Sequence, residues 1–131
     1  WEYAATSGGK GYKFPWGNSL DWDCKRSVSA LGRAANTGLK NEHKRACGKN
    51  RVAEPCSKKL GNSEQGICDL SGNLWEWTGD CDTQYRETCS SSKPSVSRGG
   101  GFWSNAEQIR STRRALSSKK AQMDVGFRCV Y

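Results

Sequence analysis

Seven cysteines, at positions 24, 47, 56, 68, 81, 89 and 129 of a 131-residue chain, constrain the fold more than any other feature of the sequence. No two of them are separated by the two-to-four-residue gap that structural zinc sites use, so metal binding through thiolates is not expected. Cysteines scattered through a short chain rich in glycine and polar residues instead indicate a disulfide framework, which requires an oxidising compartment. Staples are needed because the core is thin. Only 34% of the residues are hydrophobic and the mean hydropathy is −0.85, with room for one domain and one core. Aromatic residues make up 10% of the chain, six of them tryptophan, and are expected to supply most of the buried apolar area.

The net charge of +8 could attract nucleic acid, an anionic glycan or an acidic membrane surface. Its basic residues, however, spread over Lys40 to Arg51, Lys58–Lys59 and Arg110 to Lys120, interrupted by Glu42, Glu54, Glu107 and Asp124. This pattern reads as a solvated face rather than a nucleic-acid site. No apolar run in these residues is long enough to span a bilayer, and none reads as a signal peptide. The chain starts at Trp1, inside what reads as a structural segment, so a cut or processed N-terminus is expected.

Local patterns give a coarse order of elements. Residues 1–6 favour helix and run into Ser7-Gly8-Gly9, where glycine's access to positive φ ends it. "YKFPWG" at 12–17 predicts a short strand entering a loop. Residues 18 to 66 show no periodicity and form an unusually long loop unless fastened, with Cys24, Cys47 and Cys56 as fasteners and a short helix expected around Ser27–Ala35. In "GICDLSGNLWEWTGD" at 66–80, a Gly72-Asn73 turn precedes an alternating segment with Trp75 and Trp77 on one face and Leu74 and Glu76 on the other. "VSRGGGFW" at 96–103 suggests a strand followed by a bulge or close backbone approach. "DVGFRCVY" at 124–131 is expected to be a closing strand with Val125, Phe127 and Cys129 on one side.

Taken in order, "WEYAA" at 1–5, "FPWG" at 14–17, "DLSGNLWEW" at 69–77, "RGGGFW" at 98–103, "RSTRRA" at 110–115 and "GFRC" at 126–129 resemble the successive motifs of the formylglycine-generating enzyme (sulfatase-modifying factor) family. The resemblance implies an α+β, C-type-lectin-like fold, low in regular secondary structure and stapled by disulfides. It also implies that residues 1–131 form one domain corresponding to the C-terminal part of the family domain. In the family the cysteine of "GFRC" can pair with one upstream of "WEYAA", which leaves Cys129 without a partner here. Six cysteines allow fifteen connectivities; the pattern expected is Cys24–Cys47, Cys56–Cys68 and Cys81–Cys89, each closing a local loop.

The resemblance also bears on chemistry. Active members carry two copper-binding cysteines five residues apart after the paired glycines, and alignment on Gly99-Gly100 puts Ser104 and Ile109 there. A hydroxyl is a poor ligand for Cu(I) and isoleucine has no ligand atom, so neither copper nor oxidase activity is expected. His43 is the single histidine, which excludes three-histidine and HExxH sites within this chain.

Calcium is expected in a structural role. The family's "GNxWEW" turn binds it through positions that fall on Asp69, Gly72, Leu74 and Glu76, and calcium takes hard oxygen donors of this kind. The alternative use of the same groups is a salt bridge from Glu76 to Arg98 or Arg128, with Asp69 capping the turn. A second family calcium site would lie near Asp21–Cys24, where the sequence departs from the pattern. Trp75, Trp77 and Phe127 are expected in the core. Trp103, Ser104, Asn105, Glu107, Gln108, Arg110 and Arg113 lie on the family's ligand-facing side and are candidate contacts for a protein or glycan. The reading is a secreted or periplasmic binding or scaffolding domain. The alternative is a sulfatase-modifying oxidase or accessory enzyme dependent on a missing N-terminal half.

Overall fold

The structure, a computed structural model, describes residues 1–20, 24–30, 47, 51–81, 94–118 and 120–129. Its centre is a four-stranded sheet built from β1 (Trp75–Cys81), β2 (Ser95–Arg98), β3 (Arg114–Ser117) and β4 (Val125–Gly126), in the order β3-β2-β1-β4. β1 pairs antiparallel with β2, β2 antiparallel with β3, and β1 parallel with β4. Glu76 therefore sits mid-sheet, opposite Arg98 on one side and Gly126 on the other.

β1 begins where the sequence places its turn. Gly72 and Asn73 both adopt left-handed backbone (φ 87° and 67°), which reverses the chain before the β-favouring Trp75, Trp77 and Thr78. Gly72 has a second constraint, since a Cβ there would lie 2.4 Å from the carbonyl oxygen of Val28. That contact belongs to a parallel bridge between Val28 and Gly72, closed by the Asn73 N–H donating to the Val28 carbonyl at 2.7 Å. The bridge explains why Ser27–Ala30 is not the helix expected there. The Val28 carbonyl is taken by Asn73, and the Ala30 N–H donates to the Ser104 carbonyl, so the segment is tied to distant turns instead of to itself. Residues 31–35 lie outside the described set.

The first turn of the chain, α1 (Glu2–Ala5), ends as its sequence predicts, with Ser7, Gly8 and Gly9 all at positive φ. Phe14–Gly17 is not a strand but a tight turn, with N–H to carbonyl bonds of 3.0 Å in both directions around Pro15 and Trp16. Pro15 presets the φ that such a turn uses. β3 was not expected from its polar sequence; it forms because β2 offers a free edge, which Arg114–Ser117 fills. The closing strand shrinks to two residues. Arg128 is drawn inward by Glu76, so Phe127 points outward and is 73% exposed, contrary to its expected place in the core.

Aromatic burial is smaller than composition suggests. Phe14 and Phe102 are buried, but Trp1, Trp16, Trp75 and Trp77 are only half-buried and Trp103 is exposed. The apolar cluster is compact: Phe14, Cys47 and Ile109, with Trp16, Leu20, Cys24 and Ala106 packed against it. Cys24–Cys47 and Cys56–Cys68 are disulfides, as expected. Cys81 is also disulfide-bonded, while its expected partner Cys89 lies outside the described residues. Cys129 is a free thiol.

Much of the interior is hydroxyl rather than hydrocarbon. Nine serines are buried among the described residues, and they bind one another or nearby backbone. Ser71 donates to the Ile109 carbonyl, Ser111 to the Ala5 carbonyl and Ser7 to the Pro15 carbonyl, each at 2.6 Å. Ser97 and Ser117 join across β2 and β3, and Ser117 also accepts the Trp77 indole N–H at 2.8 Å. Buried polar atoms satisfied in this way cost little, and this is how a chain of such low hydropathy closes an interior.

Candidate functional site

Two clefts adjoin the segments that carry the candidate residues. The first lies over the Gly72-Asn73 turn, about 260 Å³ in volume, and is lined by Asp69, Leu74, Glu76, Phe127 and Arg128 among others. Both Glu76 oxygens face the Arg128 guanidinium: Nε donates to Oε2 at 2.7 Å and Nη2 donates to Oε1. The Trp1 indole N–H adds a third bond to Oε2 at 2.6 Å. Asp69 has φ of 54° and accepts the Cys56 N–H at 2.6 Å, so its carboxylate ties the turn to the Cys56 segment rather than capping the turn itself. The hydrogen bond it donates to Glu76 holds the Arg128 guanidinium above its ordinary range, burial opposes this, and the Glu76 and Asp69 charges add to it.

The alternative anticipated for Glu76 is thus the one present, with Arg128 rather than Arg98 as its partner. Arg98 is itself buried and turned elsewhere. It donates to the carbonyls of Thr112 (3.0 Å) and Arg113 (2.9 Å), pairs with Glu2, and lies 5.3 Å from the Trp1 ring. The donor chemistry of the Asp69–Glu76 turn fits calcium, since carboxylates and turn carbonyls are hard oxygens. Arg128 is a competing cation, and an ion at Glu76 requires it to move. Cys56, Cys68 and Asp69 also come within ligand distance of one another, but both sulfurs are in a disulfide and neither can act as thiolate. Of the region proposed for a second calcium site, residues 21–23 lie outside the described set, as does His43.

The second cleft, about 480 Å³, lies between the Phe14 turn and residues 105–110 and is lined by Lys13, Phe14, Asn18, Ser19, Leu20, Ala106, Glu107 and Arg110. A local cap shapes its far wall. The Asn105 side chain accepts the N–H groups of Glu107 and Gln108 (both 3.1 Å), while the Gln108 side chain accepts that of Asn105 (2.9 Å). This is a reciprocal capping arrangement, and it commits Asn105 and Gln108 to the turn itself. Ser104 is buried at 3% exposure, its hydroxyl accepting the Gly101 N–H at 2.9 Å, so it does not offer the ligand contact expected of it. Ile109 is fully buried in the apolar cluster. Trp103, Glu107 and Arg113 are exposed and Arg110 is partly so; of the expected contacts, Glu107 and Arg110 line the cleft.

Sequence reasoning missed the near wall. Lys13, Asn18, Ser19 and Leu20 lie about ninety residues upstream of Arg110, and the Ser111 N–H to Lys13 carbonyl bond of 2.9 Å brings the segments together. Their adjacency to "FPWG" was the available signal. Trp1 was missed as a partner of Glu76 for the same reason of distance.

The whole chain, residues 1–131, matches the sulfatase-modifying factor enzyme 1-like domain. The chain belongs to this family. Its relatives include the inactive C-alpha-formylglycine-generating enzyme 2 of Bos taurus and the formylglycine-generating enzyme of Mus musculus, each 27% identical over 99% of the chain. The chain spans only 41% and 37% of these relatives' lengths. Among solved structures, Treponema denticola variable protein 1 superimposes with a TM-score of 0.68 at 22% identity, over 97% of this chain and 43% of that one. The lectin-like fold of the family is therefore the fold of this chain. Similar identity to an active and an inactive relative leaves the question of activity to the residues at the site.

Proposed function

We propose that this sulfatase-modifying factor domain is a non-catalytic binding or scaffolding module that works outside the cytoplasm. The observation that carries the reading is the burial of Ser104 and Ile109, which stand where the family resemblance puts the two reactive cysteines. A hydroxyl committed to the Gly101 N–H and an aliphatic side chain supply neither thiolate nor copper ligand. No cysteine occurs between Cys89 and Cys129 to replace them. The similarity to an inactive relative supports this reading, and the two described disulfides support an oxidising compartment. No helix among the described residues is long and apolar enough to cross a membrane.

Calcium belongs to the same proposal, held by Asp69, Glu76 and the carbonyls of Gly72 and Leu74 in a structural role. Its chemistry there is to cross-link one tight turn through hard oxygens, with Arg128 giving up its hold on Glu76. A cysteine-oxidation assay on a sulfatase-motif peptide tests the activity: no turnover is expected with or without copper, and turnover would refute the reading. Thermal unfolding with calcium and with EDTA tests the ion. Calcium at about 100 times its Kd stabilises by about 2.7 kcal/mol, a shift of several degrees. An unchanged midpoint removes calcium from the proposal.

A further inference from the structure

The cleft between the Phe14 turn and residues 105–110 has two chemically distinct parts. Its floor is apolar, made by Phe14, Leu20 and Ala106, with Phe14 backed by the stacked Trp16 ring at 5.1 Å and 6°. Its rim is cationic. Lys13 is exposed, and its ammonium has no ion pair or hydrogen bond among the described residues. Across from it, Arg110 meets Glu107 at 3.5 Å, a long contact that engages one of the five guanidinium N–H donors and leaves the Glu107 side chain 77% exposed. Neither cation is tied into the fold, unlike Arg98 and Arg128. Cations above an apolar floor act through a lower effective dielectric and favour an anionic partner more strongly than the same charges on an open surface.

We propose that this cleft binds an acidic peptide segment, with a carboxylate held between Lys13 and Arg110 and an adjacent apolar side chain on the floor. The inference rests on reading the domain as a binding module and specifies what it takes. A volume of about 480 Å³ falls within the usual range for a ligand site and accommodates a few side chains. A peptide brings negative charge and hydrocarbon within one short segment, matching both parts. A sulfated saccharide matches the rim alone. Asn18, whose Oδ1 accepts the Lys13 N–H at 3.0 Å, keeps its side-chain NH2 for an extended backbone, and Ser19 on the same lining adds a hydroxyl. Glu107 is the one opposing charge among the described lining residues, which makes its removal a test of sign.

The probe is a fluorescein-labelled hexapeptide with two glutamates flanking a phenylalanine, compared by anisotropy with its glutamine counterpart and with a heparin-derived hexasaccharide as competitor. The acidic peptide is expected to bind at least about tenfold more tightly than the glutamine form. Lys13→Glu and Arg110→Glu each weaken it by about tenfold or more, and Glu107→Gln strengthens it by a few-fold. Lys59→Glu, exposed and outside the lining, changes it less than about twofold. Near-ultraviolet circular dichroism confirms that each variant keeps its fold. Equal affinity for the two peptides, insensitivity to Lys13→Glu and Arg110→Glu, or failure of the acidic peptide to bind overturns the inference. Displacement by the saccharide, lost in the same two variants, overturns it in favour of a glycan. None of these outcomes bears on the oxidation assay, so the ligand class and the non-catalytic reading fail separately.

Discussion

The molecule holds its two halves of the site by opposite means. Around the peptide-sized cleft, Phe14, Ile109 and the Cys24–Cys47 disulfide form an apolar, covalently fastened unit. Around the Gly72-Asn73 turn, the sheet is fixed by ionic and polar groups: Glu76 with Arg128 and Trp1, and Arg98 with Glu2 and three carbonyls. Most of the residues that carry the family resemblance, "WEYAA", "GNLWEW", "RGG" and "GFRC", belong to the second unit. The side chains on the cleft rim belong to none of these four. Of the two remaining motifs, "RSTRRA" opens with the rim residue Arg110, whereas Lys13 lies outside all six, so the rim can vary at Lys13 without disturbing the hydrogen-bonded frame.

The comparison breaks first at Ile109. Ile109→Ala, at a fully buried position in the smallest unit, is expected to cost about 3–4 kcal/mol in urea unfolding, with little dependence on salt. Arg128→Met leaves Glu76, 7% exposed, with only the Trp1 N–H as partner among the described residues and is expected to cost about 2–3 kcal/mol. Adding Glu76→Gln to Arg128→Met should recover part of that loss, because the uncompensated charge is gone. If the halves are independent, Ile109→Ala and Arg128→Met add within about 0.5 kcal/mol; a larger coupling would show that the Ser71 to Ile109 bond transmits strain between them.

The smallest effect belongs to the exposed Lys10–Glu64 pair. Its hydrogen bond holds the Glu64 carboxyl below the ordinary 4.5 and the Lys10 ammonium above 10.5. A lowered carboxyl contributes stability above about 4.5 and loses it as pH falls through the lowered value, whereas a raised ammonium contributes below about 10.5 and loses it above. Lys10→Met should therefore shift the unfolding midpoint slightly between those limits, and 1 M salt should remove most of the difference.

The legible parts of the sequence were those where backbone chemistry leaves few choices. Gly8-Gly9, Gly72-Asn73 and Gly99-Gly100 all adopt the positive φ that their residue types favour, and two described disulfides follow local loop closure. The expected contacts failed where a side chain had two uses. Ser104 and Asn105 are polar and lie on the ligand-facing segment, yet buried hydrogen bonding and capping claim them first. Phe127 reads as core by composition, but the pairing of its neighbour Arg128 with Glu76 decides which of the two turns inward. Lys13 and Leu20 were hidden because nothing local tells a chain which distant turn will lie across from them.

The serine-filled interior has a thermal consequence. Exposing apolar surface raises the heat capacity of unfolding and exposing polar surface lowers it. An interior in which Ser27, Ser29, Ser71, Ser97, Ser111 and Ser117 occupy places that hydrocarbon fills elsewhere should unfold with a heat-capacity change below the usual ~12–15 cal/mol/K per residue. Calorimetry on the disulfide-intact domain would measure it directly. The stability curve is then broad and shallow, so the domain loses little on cooling and keeps a nearly constant margin over a wide span of temperatures.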